Sequence, residues 1–417
     1  MTTADAPTLA TSAEEWRPAP SGGRMLHRRF GRTGLAMPVF STGGMRYQHG
    51  WKDVPLAEIP EENQRNLEAT IRRSLELGIN HIETARGYGP SERQLGVILP
   101  TLPREQLIVQ TKVPPTEDPS EFRRQFEDSL ARLQLSRVDL LAFHGVNNLE
   151  LMAQAARALP VARQLVDEGL VGHVGFSTHG SPEEVLAAVE CEEHGGFDYV
   201  NLHWYYIFQR NWPAIEAATR RDMGVFIISP TDKGGRLQDP PERLCELVAP
   251  LHPIEFNDLF CLSRPQVHTL SVGSSRPTDY DLHVQALGRM EQAGVLLPPI
   301  LERLERAVHD MFGREFARGW LEGVPSWRDV PGEVNLQHIV WLAMLAEAWG
   351  MEEYGRMRYG LLGNAGHWFP GASLAGADMG TLEQALAAAP HRRQLMEVLG
   401  RAHALLWREP QKRLSES

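Results

Sequence analysis

Short apolar runs recur through the larger, amino-terminal part of the chain, and most end on a polar or small residue just before a helical pattern starts. Ile79-Asn-His-Ile-Glu83, Leu107-Ile-Val-Gln-Thr-Lys112 and Val138-Asp-Leu-Leu-Ala-Phe-His144 are three of them. The runs predict strands near 39–43, 79–83, 107–112, 138–143, 172–177, 198–202, 224–229 and 268–273. Helices are predicted over 61–77, 91–99, 119–133, 150–168, 181–190 and 211–221. In the first of these, Leu67, Ile71 and Leu75 share one face and Gly78 follows as a stop. Ser91 and Gln94 have capping-box spacing at the second. Eight strand–helix units in succession give the α/β class and a (β/α)8 TIM barrel. Ahead of them, residues 25–38 read as a β-hairpin turning at Gly31 to Gly34.

From about residue 292 the strand pattern stops. Segments 297–323, 335–362 and 381–406 read as helices, separated by the Gly/Pro/Trp-rich stretches 324–332 and 363–371. The expected organisation is therefore a flexible tail over 1–24, a barrel over 25–291 and an all-helical domain over 292–417. The tail is rich in Ala, Thr, Pro and Ser and has no apolar core, unlike a signal peptide.

Composition narrows the function. The 417 residues are 42% hydrophobic and 23% charged, ordinary for a globular chain. A net charge of −11 argues against nucleic acid and anionic membranes as partners. No apolar run approaches the roughly 20 residues of a membrane span. Cys191, Cys245 and Cys261 are scattered, without disulfide or metal-ligand spacing, which fits the cytoplasm and no bound metal.

The candidate chemistry is Glu83, Tyr88, Lys112 and His144. Each lies at or just past a predicted strand's carboxyl end, where such barrels gather their reacting groups at one mouth. A carboxylate, a phenol, an ammonium and an imidazole together suit proton transfer to or from a substrate oxygen. A free phenol titrates near 10, and a neighbouring ammonium lowers that value. Lys112 as a Schiff-base nucleophile is a separate reading of the same residues.

Taken in order, Phe30-Gly-Arg-Thr-Gly34, Glu83-Thr-Ala-Arg-Gly-Tyr-Gly89, Ser91-Glu-Arg-Gln-Leu-Gly96, Thr111-Lys112, Val138 to His144, Val174-Gly-Phe-Ser177 and Leu270-Ser-Val-Gly273 resemble the aldo/keto reductases. The resemblance runs from about Leu26 to Leu287. It implies reduction of an aldehyde or ketone to an alcohol, or the reverse, with a nicotinamide dinucleotide and no metal. Tyr88 matches the general acid, Lys112 the lysine that lowers its pKa and His144 the histidine that orients the carbonyl. Glu83 stands where aspartate is usual.

For the cofactor the resemblance implies Ser177, Thr178 and Asn201 at the nicotinamide, with Thr178 in place of the usual Asn and Asn201 in place of Gln. Ile228 replaces the customary stacking aromatic, so Trp204 or Tyr205 is the candidate cover for the ring. Ser229, Lys233 and Arg236 lie in the pyrophosphate-loop match 229–237. Gly273, Ser274 and Arg276 match the segment that grips a 2′-phosphate, followed by Asp279. NADPH is implied first, NADH second. The partner is a small carbonyl or alcohol substrate, and a homo-oligomer is compatible.

The region 315–406 resembles the ferredoxin-like helical domain of one branch, but no cysteine follows Cys261. No iron–sulfur cluster is expected, because thiolates must ligate it. Trp327, Trp368, Phe369 and Pro370 are expected to fill the space. The rival functional reading is a nucleotide-binding regulatory protein on this scaffold with little or no turnover.

Overall fold

The computed structural model describes residues 14–363 and 369–408. Eight parallel strands close a barrel: β4 (Phe40–Gly43), β5 (His81–Glu83), β6 (Ile108–Val113), β7 (Val138–Phe143), β8 (Val171–Ser177), β9 (Tyr199–Leu202), β10 (Gly224–Ile227) and β11 (Thr269–Val272). β11 pairs with β4 to complete the ring, with Leu270 opposite Phe40 and Val272 opposite Thr42. The architecture is the (β/α)8 TIM barrel, with an additional helical region. Every predicted barrel strand is present, its ends within about two residues of expectation.

Local sequence explains the outer helices. Asp118 accepts a hydrogen bond from the Ser120 N–H and Pro119 opens the helix Pro119–Leu133, which buries Phe122, Phe126, Leu130 and Leu133. Ser181 and Glu184 form a reciprocal capping box on Pro182–Val189.

Before the barrel, β1 (Glu14–Pro18), β2 (Arg24–Arg29) and β3 (Ala36–Pro38) form an antiparallel sheet. The expected tail over 1–24 is thus corrected in its last part: Glu14–Pro18 is a strand, and residues 1–13 lie outside the described residues. Cross-strand pairing holds it, with Glu14 opposite Arg28 and ion-paired to it. Phe30 and Met37 pack with Ile108, Leu140, Ala142, Tyr199 and Phe226. Gly31 has φ +51°, and a β-carbon there would sit 2.4 Å from the Gly224 nitrogen. The hairpin therefore plugs the amino-terminal end of the barrel and leaves the carboxyl ends of the strands for chemistry.

The chain divides into two compact units. The barrel unit runs to Gly234, resumes at Asn257 and ends at Ala293; the other takes Gly235–Phe256 and the chain from Gly294. The second crossing lies between Ala293 and Gly294, and the excursion 235–256 lies inside what reads as barrel sequence.

In the helical unit each predicted long helix is two shorter ones. Ala293–Phe312 ends before Gly313, at φ +81°, and Leu336–Trp349 ends at Gly350, at φ +71°. A left-handed glycine is a common helix terminator. Met379–Ala385 and Arg392–Leu406 are separated by a turn holding Pro390, which cannot continue a helix interior. Leu336–Trp349 buries residues around most of its circumference, and the Trp349 indole N–H donates to the Leu304 carbonyl at 3.0 Å. Phe369 is buried edge-on to His338 with ring centroids 5.0 Å apart. Trp327 is only half-buried beneath Arg328, and Trp368 lies outside the described residues.

Candidate active site

β5 ends on Glu83, β6 carries Lys112 one residue before its end, and His144 follows β7 directly. Tyr88 sits in the turn after β5, five residues past Glu83. The parallel register puts Glu83 beside Gln110 and Lys112 beside Ala142. Residues from three successive strand ends thus meet at the barrel mouth.

The Lys112 ammonium is the hub. It donates to the Tyr88 hydroxyl at 3.1 Å and the Thr84 carbonyl at 3.0 Å, and it is ion-paired with the Glu83 carboxylate. Three protons meet three acceptors, so the ammonium is fully satisfied. Both Lys112 and Glu83 are almost wholly buried. The Tyr88 ring meets His144 edge-on with centroids 5.4 Å apart, and Trp51 edge-on at 6.4 Å.

Burial pushes the Lys112 ammonium well below the ordinary lysine value. The Glu83 charge opposes that shift, because it favours the protonated form. Burial also pushes the Tyr88 phenol above its ordinary value near 10, and nearby Tyr47 adds to the effect. At Tyr88, then, burial outweighs the lowering that the sequence leads one to expect.

The residues expected at a nicotinamide lie on β8 and β9. Ser177 pairs with Asn201 across the two strands, and the Thr178 N–H donates to the Asn201 carbonyl at 3.0 Å. The Ser177 hydroxyl accepts from the Gly145 N–H at 3.1 Å. Asn201 is fully buried, and neither atom of its carboxamide has a partner. A buried amide left open is costly and complements another amide. These residues fit a bound carboxamide.

Ser229 adopts φ +53°, unusual for a residue with a side chain, and its carbonyl accepts from the Lys233 and Gly234 N–H groups at 3.0 and 3.3 Å. Gly234 is required there, since a β-carbon would lie 1.7 Å from the Pro230 oxygen. Arg236 belongs to the other unit. After β11, Gly273 and buried Ser274 lead into Arg276. The Asp279 carboxylate accepts from the Ser275 and Arg276 N–H groups at 2.7 and 3.2 Å and from the Arg276 guanidinium at 3.0 Å. The Asp279 carboxylate thus already engages the two backbone amides of this segment.

Two readings change. Trp204 is buried, stacked on Phe260 at 5.1 Å and packed against Trp212. Tyr205 directs its hydroxyl to His203 Nδ1 at 3.2 Å. His203 itself was not singled out by the sequence, although it lies two residues past Asn201, the spacing that puts two strand residues on one face. Among the described residues, no group of three or more His, Cys, Asp or Glu is placed to hold a metal ion. No described helix is long and apolar enough to cross a membrane.

The sequence model of the aldo/keto reductase family matches residues 40–241. The barrel belongs to the aldo/keto reductase family. Its relatives include L-galactose dehydrogenase of Arabidopsis thaliana, 33% identical over 130 residues, covering 29% of this chain and 40% of that protein. L-glyceraldehyde 3-phosphate reductase of Escherichia coli is 31% identical over 184 residues, 40% of this chain and 49% of that one. The chain thus spans half or less of these relatives' length. An aldo-keto reductase from Bacillus halodurans, solved in its holo form, shares the fold with a TM-score of 0.53 at 19% identity, covering 67% of this chain and 96% of that one. The match with the aldo/keto reductases covers the strands that carry Glu83, Lys112, His144, Ser177 and Asn201, and leaves the helical region after Gly294 unaddressed.

Proposed function

We propose that this chain reduces an aldehyde or ketone to an alcohol, or runs the reverse, using a nicotinamide dinucleotide. The observation that carries the reading is the Lys112 ammonium bonded to the Tyr88 hydroxyl at 3.1 Å, with His144 against the same ring. The open carboxamide of Asn201 supports dinucleotide binding, with Ser177 and Thr178 beside it. The dinucleotide, when bound, supplies or takes the hydride.

The chain's own residues handle the proton. Tyr88 donates it to the oxygen that gains charge, and His144 holds that oxygen in place. Lys112 stabilises the phenolate left behind, while Glu83 fixes Lys112 and keeps it charged. Lys233, Ser229, Gly273, Ser274 and Arg276 bind the rest of the dinucleotide. NADPH is the form the resemblance implies; the capping of Ser275 and Arg276 by Asp279 makes NADH its rival. The names of the two curated relatives point to hydroxylated, sugar-like carbonyl compounds as a substrate class. The second reading, nucleotide binding without turnover, draws support from Ile228 at the end of β10, where relatives place an aromatic.

Titration with NADPH and NADH by tryptophan fluorescence, followed by cofactor oxidation with a panel of aldehydes and ketones, tests both. Turnover lost in Tyr88→Phe with binding retained supports the reductase. Binding with no turnover in the parent protein supports the regulatory reading.

A further inference from the structure

Ser91 and Glu92 open the helix Ser91–Ile98 just past Tyr88, and the proton chemistry uses neither. Both are nevertheless wholly buried. A carboxyl group taken out of water is costly unless it is hydrogen-bonded. Glu92 Oε1 accepts from the Thr111 hydroxyl at 2.6 Å, the length expected of a hydroxyl on a carboxylate. Burial pushes the Glu92 carboxyl up, while Thr111 and the nearby Arg132 and Arg86 guanidiniums favour its charged form. Thr111 is the residue before Lys112, and its side chain leaves the opposite face of β6. Ser91 secures the same loop elsewhere. Its hydroxyl donates to the Gly44 carbonyl at 3.1 Å and lies 2.8 Å from the Thr84 hydroxyl. A β-carbon on Gly44 would sit 2.7 Å from the Glu83 carbonyl oxygen and 3.0 Å from the Ser91 hydroxyl, so this approach requires glycine.

These contacts clasp the segment from Thr84 to Glu92 onto β6. The Thr84 N–H donates to the Gln110 carbonyl at 2.9 Å, and the Arg86 N–H to the Lys112 carbonyl at 3.0 Å. The Thr111 side chain supplies a third tie, so three consecutive strand residues hold the segment. Two of the ties precede Tyr88 and the third follows it. The Thr84 carbonyl is also an acceptor of the Lys112 ammonium. Tyr88 and Lys112 therefore share one frame, and their 3.1 Å contact tolerates little slack in it.

We propose that Glu92 is a positioning residue, whose hydrogen bond to Thr111 holds the Tyr88 hydroxyl within reach of Lys112. The effect on rate rests on the reductase reading; the placement of the phenol does not. Releasing the tie after Tyr88 lets the phenol drift, and a shift of about 1 Å at a reacting group costs up to about a hundredfold in rate.

The test uses the full chain, with tyrosine isotope-labelled at the ring carbon bearing the hydroxyl and the Tyr88 NMR signal assigned from Tyr88→Phe. Thr111→Val removes the donor and keeps the branched shape. It is expected to shift the Tyr88 signal. With the carbonyl compound turned over fastest in the panel, it should lower kcat about tenfold to a hundredfold, leaving KM and the dinucleotide dissociation constant within about twofold of the parent. Thr111→Ser restores the hydroxyl and should restore both readouts. Glu92→Gln retains an acceptor and should stay near the parent. If Thr111→Val fails to fold because Glu92 is left buried without its donor, Thr111→Val/Glu92→Leu replaces both polar groups with apolar ones and should show the same loss. A Tyr88 signal and a kcat unchanged in these variants overturn the proposal. A loss of kcat matched by an equal loss of dinucleotide affinity also overturns it, because that marks general loosening. If the parent protein turns nothing over, the reductase reading fails and the Tyr88 signal decides alone: a shift in Thr111→Val that reverses in Thr111→Ser supports the positioning role, and a constant signal overturns it.

Discussion

Replacing Glu83 by Gln probes the centre of the site. Glutamine keeps the length and an acceptor oxygen, so Lys112 retains three acceptors and loses only its counter-charge. Breaking a buried ion pair from one side costs about 3–5 kcal/mol. The protein has one escape, which sets an upper limit: Lys112 can release its proton on folding. From an ordinary lysine value near 10.4, that release at pH 7 costs about 5 kcal/mol, at about 1.4 kcal/mol per pH unit. At pH 9 the same release costs only about 2 kcal/mol. The sign follows from proton counting: the unfolded variant binds a proton that the folded one does not, so its stability rises with pH. Glu83→Gln is therefore expected to be destabilised by about 3–5 kcal/mol at pH 7 and by about 2 kcal/mol at pH 9, with Glu83→Gln/Lys112→Met recovering most of the loss. Urea unfolding of the parent, both single variants and the double variant at the two pH values measures it. A Glu83→Gln variant within about 1 kcal/mol of the parent at both pH values would refute a charged Lys112–Glu83 pair.

Further predictions concern the barrel wall and the loops after β10 and β11. His268 accepts the Val225 N–H at 2.9 Å on Nδ1, and burial, reinforced by Arg28 and Arg29, pushes it down to about 3. Its folded value lies below its unfolded one, so its stabilising contribution is present above the unfolded value near 6.5 and is lost as pH falls toward 3. At pH 5 the loss is about 2 kcal/mol, so the stability gap between parent and His268→Gln should narrow by that much from pH 7 to 5 in urea titrations; a constant gap contradicts the assignment. Asp279→Asn removes the charge that caps Ser275 and Arg276 and should shift preference toward NADPH by up to about tenfold, read as the ratio of the two dissociation constants; an unchanged ratio separates Asp279 from cofactor choice. Gly234→Ala brings a methyl carbon to 1.7 Å from the Pro230 oxygen and should cost about 1–3 kcal/mol by urea unfolding, with weaker dinucleotide binding; an unperturbed variant would mean the loop yields freely.

The barrel was legible in the sequence because each strand is a short apolar run closed by a distinctive residue. Glu83, Lys112 and His144 are such closures, and their convergence follows once the strands are parallel and in order. β1 was not legible: Glu14-Glu-Trp-Arg-Pro18 has no alternation, and its pairing depends on Arg28, a partner across the turn. The helix breaks at Gly313 and Gly350 were also hidden, because a lone glycine is compatible with a continuing helix until φ turns positive. His203 escaped notice because its contacts with His179 and Lys233 join three different strand ends. The inward tyrosine-lysine pair was predicted as a charge effect on Tyr88; the depth of burial, which works against that effect, is a property of the folded wall alone.

The excursion from Gly235 to Phe256 makes the helical region an interleaved part of the chain rather than an appendage. The polypeptide leaves the barrel after β10, contributes Leu244, Leu247 and Val248 to the other unit's interior, and returns before β11. Arg303 holds the Leu247 carbonyl at 2.9 Å, tying a residue from the excursion to one from the carboxyl-terminal stretch. Ending the chain after the last barrel strand would leave the excursion without the helices it packs with. During synthesis the excursion emerges well before the helices it packs with, so its apolar face must wait for them. Removing the helical unit therefore takes two cuts, one before Gly294 and one in the loop after β10.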